Sequence, residues 1–463
     1  MTLQPTELAA SSIALPPPRT RGLPLIGALP AFLRQPFAFL RHAHAAYGDI
    51  YTLDLGVVRW VILNHPRHAD HVLRHHSHNY PKGGAFWTET RKLLGNGLVV
   101  SEGDFWLRQR RMIQPHFHHK ALAGLTEAMV TAITESLHPW DAAARREQPL
   151  HVLPACSTIT MRVIARALFG QGLQADEIAR ASELLTVVLE YLLVGAATAS
   201  LPPWVPIPGK RRFRHAIREL DALILRIIAA ERRRDTPSAT LLAMLVHQLD
   251  ADTGERMTDA QVRDEVITFV LAGYETTSLA LTWTLDVLTH RPDILKRVQA
   301  DVDATLNGAV PTFAMLAQLS YTRRVIQETL RLRPPSWWLP RTALQDDVID
   351  GYAIPAGTTV VSLAYGIHHH PQIWPDPERF DPERFTPEQD AQRHKLAWVP
   401  FGAGQRQCIG RDFALLEAQV VLAMLVHRYR LTAVAKHAAQ PRVSATLRPK
   451  TSVQVQVARR YGQ

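Results

Sequence analysis

Cysteine is nearly absent. The 463-residue chain carries two, Cys156 and Cys408, far apart in sequence. That excludes a disulfide framework and any Cys-x-x-Cys zinc spacing, and it makes a reducing, cytoplasmic compartment the expected setting. Long uninterrupted apolar runs are missing too. Met1 to Thr20 has no basic start followed by an apolar core, and Glu7 interrupts it, so it does not read as a signal peptide. Leu23 to Leu40 is broken by Pro30, Arg34 and Pro36, and Leu184 to Leu201 contains Glu190. No membrane anchor is expected from either, and the second reads as a buried helix. Internal repeats are lacking: Pro-Glu-Arg-Phe occurs twice between Asp376 and Phe385, which is too short for a structural repeat. There is no acidic excess, since 52 Lys and Arg face 42 Asp and Glu for a net charge of +10. The basic clusters (Lys210 to Arg214, Arg232 to Arg234, Arg108 to Arg111) fall in amphipathic helical patterns without interleaved aromatics. They read as solvated helix faces, or as a face that steers an acidic protein, and no nucleic-acid partner is expected.

What is present is ample apolar material, 46% of residues, enough for a large core around an enclosed cavity. Residues 1–22, ending in the stiff Pro16-Pro17-Pro18, are expected to form a flexible tail, and 23–460 a single domain. Ile50 to Leu55 and Arg59 to Leu63 suggest a hairpin around Gly56. From Pro66 to Ala300 the periodicity is mainly helical. Thr258-Asp259-Ala260-Gln261 is a capping box that opens a long helix running to His290. A second helix over Tyr321 to Leu332 is stopped by Pro334-Pro335. Strand and turn chemistry follows from Arg341 to Leu363, then a proline-rich meander over 371–400, then a helix from Gly410 to about Tyr429.

Cys408 sits in Phe401-Gly402-Ala403-Gly404-Gln405-Arg406-Gln407-Cys408-Ile409-Gly410, which reads F-x-x-G-x-R-x-C-x-G. The following helix offers N–H groups and a positive dipole end to a thiolate. Gly404 and Gly410 allow a tight turn and close approach to a flat cofactor, and Phe401 can shield the sulfur. A lone cysteine is more often just a small buried residue, but five matched positions before a helix point to a metal-bound thiolate.

This loop resembles the heme-binding loop of the cytochrome P450 family, the heme-thiolate monooxygenases, and further motifs follow in the family's order from about Leu23 to Val457. The resemblance implies a mainly α fold with a small β lobe, with heme b between the long helix and the Cys408 loop. It implies Cys408 as the axial iron ligand, a thiolate that favours O–O cleavage. Phe401, Gly402, Gly404 and Ala272 would lie against the heme. Arg406 would contact a propionate, as would Arg341, while Trp106 and Arg110, four apart on one helix face, match the family's W-x-x-x-R. Ala272-Gly273-Tyr274-Glu275-Thr276-Thr277 looks like the oxygen-activation motif. Gly273 weakens the helix, Thr276 can bond back to the Ala272 carbonyl and open the ladder, and Glu275 with Thr276 would relay protons. Glu328 and Arg331 match E-x-x-R. Glu177/Arg180 and Glu231/Arg234 share the spacing, but only Glu328 is followed by the right context, and with Arg384 it would form a structural triad.

The substrate pocket implied by position comprises Phe86, Trp87, Leu192, Val194, Phe269, Ala272, Trp337, Trp338, Leu339, Ala445 and Thr446. It is apolar and aromatic, which suits a terpenoid or fatty acid hydroxylated or epoxidised with O2. Electrons are expected from a separate ferredoxin- or flavodoxin-type carrier and its reductase, docking on a basic face that includes Arg108, Arg111 and Lys120, with the enzyme a monomer. A heme-thiolate isomerase or a peroxide-driven hydroxylase is the alternative. His368-His369-His370 and His116, His118 and His119 read as loop residues, with no second metal.

Overall fold

The computed structural model describes residues 14–460 apart from Val57, Gln171, Ala199, Ser200, Leu201, Pro203 and Ala239. The N-terminal boundary differs from expectation. Residues 1–13 of the expected tail lie outside the described residues, but from Leu15 the chain is pinned. Leu15 bridges Tyr352, Arg19 bridges Thr52, and Arg19 pairs with Asp54. The three prolines hold this stretch extended, which suits an added edge segment.

The centre of the fold is the helix Asp259–His290, 32 residues long and so about 48 Å from end to end. Its capping box is fully formed: Gln261 N–H donates to Thr258 Oγ1, and the Thr258 N–H donates back to Gln261 Oε1. No polar stripe survives in its second half, where Leu279, Leu281, Trp283 and Leu285 are all buried, as expected of a helix covered on every side. The helices Val152–Phe169, Ser320–Leu332 and Arg411–Arg428 pack around it. Val152–Phe169 is long and apolar enough to cross a membrane, yet most of it is buried against the long helix.

The β structure is peripheral. The expected hairpin forms, with Ile50–Asp54 antiparallel to Arg59–Leu63. It extends into a four-stranded sheet through Thr359–Ser362, which runs parallel to Arg59–Leu63, and then Leu339–Thr342. The latter strand carries Arg341 to the cavity. Pro441–Arg442 and Arg448–Pro449 pair as a small ribbon whose connecting turn, with Ala445 and Thr446, reaches the long helix.

Behind the Cys408 loop lies a buried polar core. Glu328 and Arg331 are both fully buried, with Arg331 Nε to Glu328 Oε2 at 2.6 Å and Nη2 to Oε1 at 2.8 Å. The remaining guanidinium donors go to the carbonyls of His368, Pro377 and Arg379, so all five N–H groups are used. Arg384 approaches Glu328 Oε1 at 3.5 Å. Burial pushes the Glu328 carboxyl up, against the pull of Arg331.

The histidine run is corrected in part: His369 and His370 lie beyond the helix end as loop residues, whereas His368 is helical, and all three are buried. His368 ends the helix Ala364–His368 and donates from Nδ1 to the Arg331 carbonyl, while its Nε2 accepts from the Val399 N–H at 2.8 Å. Burial lowers its pKa to about 3, so the imidazole is neutral and joins the E-x-x-R helix to the chain entering the Cys408 loop.

Candidate heme site

The Cys408 loop owes its shape to two glycines in the left-handed region, Gly402 at φ 67° and Gly404 at φ 70°. At Gly404 a side chain is also excluded by space, since a Cβ would fall 2.1 Å from the Leu73 carbonyl oxygen. The loop closes when the Cys408 N–H donates to the Phe401 carbonyl at 2.9 Å. Arg110 Nη1 donates to the Gln407 carbonyl at 3.0 Å, tying the loop to the helix Gly103–Ile113. Cys408 opens onto the cavity floor although it lies deep in the protein. Burial pushes its thiol up, while the Gly410 N–H and the charges of Arg110 and Lys82 pull toward thiolate. The other cysteine, Cys156, is buried in the core, its thiol pushed up to about 12 by burial.

A cavity of about 400 Å³ rises above Cys408. Cations crowd one rim. Arg341 is 7% exposed, and burial with repulsion from Arg406 lowers its pKa to about 10. Arg406 lies 4.4 Å from the centre of the Trp106 ring and donates to the Ser101 carbonyl at 2.7 Å. Its Nη1 is buried with no partner. Lys82 donates to the Val99 carbonyl, and its ammonium is pushed well below the usual lysine range by burial and by Arg341 and Arg406. Glu102 is the one carboxylate acting on all three cations. Mutually repelling buried cations with an orphaned N–H fit a dianionic group, as the two heme propionates would be. The donor set therefore fits heme: Cys408 for the iron, with Arg341, Arg406 and Lys82 for the propionates. Lys82 was missed because Pro81-Lys82-Gly83-Gly84 reads only as a helix break. The structure-based signal is a lysine kept below the surface beside two arginines.

On the opposite wall, Thr276 Oγ1 donates to the Ala272 carbonyl at 2.7 Å, the expected back-bond. The ladder does not open, however, and the helix runs unbroken through the motif. Gly273 serves a packing role instead: a Cβ there would meet Ile164 Cδ1 at 3.2 Å, so it lets the helix Val152–Phe169 come close. Glu275 is adjacent to Thr276, but its carboxylate is already engaged. Its Oε1 accepts from Arg448 Nη2 at 2.6 Å, from Arg448 Nε at 3.0 Å and from Thr446 Oγ1 at 3.0 Å. Sequence reasoning missed Arg448, because nothing local in the C-terminal β ribbon marks it as a partner of the long helix.

Of the expected pocket residues, Phe86, Trp87, Leu192, Phe269, Ala272, Trp338, Leu339, Ala445 and Thr446 line the cavity. Trp337 and Val194 do not. Trp337 turns into the N-terminal cluster against Phe37 and donates from Nε1 to the Ser444 carbonyl. Val194 is 40% exposed. Phe117, tilted against Phe269 with ring centres 5.7 Å apart, and Leu189 complete the aromatic and aliphatic wall. The expected basic docking face is also altered. Arg108 pairs with Asp250 and Glu255, and Arg111 with Asp252 at 2.8 Å, so an acidic loop compensates both. The Lys120 side chain lies outside the described residues.

Comparison with known proteins agrees with this geometry. The cytochrome P450 family model matches residues 16–457. A cyclooctat-9-en-7-ol 5-monooxygenase of Streptomyces melanosporofaciens is 36% identical over 93% of this chain and 94% of its own. A pentalenene oxygenase of Streptomyces avermitilis is 30% identical over 89% and 90%. The crystal structure of the cytochrome P450DA heme domain superposes with a TM-score of 0.87 at 27% identity, covering 97% of this chain and 99% of that one. With the thiolate loop, the cation rim and the acid–alcohol helix in one cavity, the chain belongs to the cytochrome P450 family and is a heme-dependent monooxygenase.

Proposed function

We propose that this enzyme hydroxylates a cyclic terpenoid, drawing electrons from a separate ferredoxin- or flavodoxin-type carrier and its reductase. The observation that carries the substrate class is the cavity wall. Phe86, Trp87, Phe117, Leu189, Phe269 and Trp338 give the cavity a mainly apolar wall that meets the cation rim where Lys82 lies 4.7 Å from the Trp87 ring. A rigid hydrocarbon skeleton gains from burial against such walls at about 25 cal/mol per Å². The terpenoid names of two relatives support the same reading. It includes a cytoplasmic, anchor-free enzyme, supported by the two unpaired cysteines and the burial of the apolar helix Val152–Phe169.

Heme bound at Cys408 supplies the activation of dioxygen. The chain's own residues orient, shield and move protons. Cys408 provides the thiolate, steadied by the Gly410 N–H and Arg110. The aromatic walls hold the substrate and exclude water. Thr276 donates its hydroxyl hydrogen bond to the Ala272 carbonyl, which leaves its oxygen lone pairs free to accept. The Glu275 bonds all fall on Oε1, leaving Oε2 as the oxygen that exchanges a proton with Thr276 or water.

The test is a spectral titration of the heme-loaded enzyme with cyclic diterpene and sesquiterpene olefins and alcohols, fatty acids and macrocycles. A low-to-high-spin shift with the terpenoids, and product formation with a ferredoxin pair, is the expected result. Saturation by fatty acids alone overturns the substrate class. Turnover with peroxide but not with electron donors overturns the electron source.

A further inference from the structure

Away from the heme cavity, three side chains converge with the chemistry of a metal centre. His44 is in the last turn of the helix Pro36–Tyr47. Gly48, at φ 85°, turns the chain so that Asp49 comes back toward His44. His370 arrives from the far side, two residues beyond the end of the helix Ala364–His368. Nε2 of His44 and Nε2 of His370 approach the same oxygen, Asp49 Oδ1, at 2.8 and 2.9 Å. All three ligand atoms lie within 4.8 Å of one another, and the two rings are 4.9 Å apart. Among the described residues the ion-pair partners of the Asp49 carboxylate are both histidines, with no Arg or Lys.

A second observation concerns His370. Its side chain is 3% exposed, and its outer nitrogen Nδ1 is buried without a partner. Ligation of a metal through Nε2 would place the ring proton on Nδ1, where a water or a carbonyl must accept it. Two imidazole nitrogens and one carboxylate oxygen are a donor set that zinc accepts, each imidazole giving up its Nε2 proton on binding. Zinc holds nitrogen and carboxylate oxygen at about 2.0–2.2 Å, which separates tetrahedral ligand atoms by about 3.4 Å. From the present spacing the three groups need open by only about half an ångström.

We propose that His44, Asp49 and His370 bind one zinc ion, with water at the fourth position. The ion would act as a staple. His44 and Asp49 belong to the N-terminal lobe, and His370 follows His368, which is bonded to both Arg331 and Val399. The site would therefore tie the first lobe to the scaffold behind the Cys408 loop, across more than 300 residues of chain.

The experiment uses the intact, heme-loaded enzyme stripped of zinc by a chelator, then titrated with zinc chloride by calorimetry. Three variants are compared: His44→Gln, Asp49→Asn, and His76→Gln. The last removes a histidine from the separate His71–His76–Asp347 cluster and controls for zinc held by surface histidines. All should keep the reduced carbon monoxide spectrum. The expected result is a one-equivalent step and a raised thermal midpoint in the wild type and His76→Gln, both lost in His44→Gln and Asp49→Asn. X-ray absorption at the zinc edge should show two imidazoles. No one-equivalent step in the wild type, or a step unchanged in His44→Gln and Asp49→Asn, overturns the proposal.

Discussion

Arg331 and Arg406 are both guanidinium groups buried near the Cys408 loop, and they are satisfied in opposite ways. Arg331 is wholly enclosed, and every N–H has a protein acceptor. Arg406 is 11% exposed at its side chain, faces Lys82 and Arg341, and leaves Nη1 without a partner. The first cluster is complete as a folded chain. The second is incomplete until an anion arrives. Buried charge is therefore scaffold in one case and binding site in the other, and the accounting of donors distinguishes them where burial alone does not.

Breaking the complete cluster should cost most. Arg331→Met strands Glu328 in a dry site, and we expect a loss of about 3–5 kcal/mol in denaturant unfolding with failure to incorporate heme. On the cavity side, Thr276→Ala should leave folding and the carbon monoxide spectrum intact. Product per electron pair should fall by about 100-fold as oxygen is reduced unproductively, as measured against donor consumption. Arg406→Met sharpens the contrast. It removes the Nη1 donor that only the cofactor completes along with the Nη2 bond to the Ser101 carbonyl, so the heme-free protein should lose no more than about 1 kcal/mol, while heme transfer to apomyoglobin should quicken by about tenfold.

The smallest expected effect concerns Glu265, a buried acid with no countercharge. Its Oε2 accepts from the Leu98 N–H at 3.0 Å, its Oε1 has no partner, and burial raises its pKa to about 8. Because the folded pKa lies above the unfolded one, this group takes stability away as pH rises from its ordinary carboxylate range toward 8. Glu265→Gln should therefore be the more stable protein at pH 8 by at least about 1 kcal/mol, with the gap closing near pH 5 in thermal melts.

How much of this was legible in the sequence follows the range of each interaction. The Thr258–Gln261 capping box, the Thr276–Ala272 bond and the Glu328–Arg331 pair join residues three or four apart, and the helix period alone brings them together. The hairpin at Gly56 is equally local. Partners from distant segments were not legible. Lys82 reaches the rim from a turn, Arg448 reaches Glu275 from the last ribbon, and Arg108 and Arg111 meet the loop containing Asp250, Asp252 and Glu255. The histidine run misled for a different reason. Three successive polar residues read as loop, but all three rings are buried and each finds a separate partner: the Arg331 carbonyl, the Tyr365 carbonyl and Asp49. Trp337 and Trp338 stack on each other, 5.5 Å between ring centres, and only the outer of the two, Trp338, reaches the cavity.

Thr446 lines the cavity and also gives its hydroxyl to Glu275. One turn of chain thus gauges the cargo and holds the acid. A molecule bulky enough to press residues 445–446 outward must stretch the Thr446 bond and loosen the Arg448 grip beside it. Fit and fuel efficiency become a single property of the enzyme: ill-shaped guests would leave unchanged while oxygen is reduced in their place, and widening this turn to admit a larger skeleton would show in squandered electrons rather than in lost affinity.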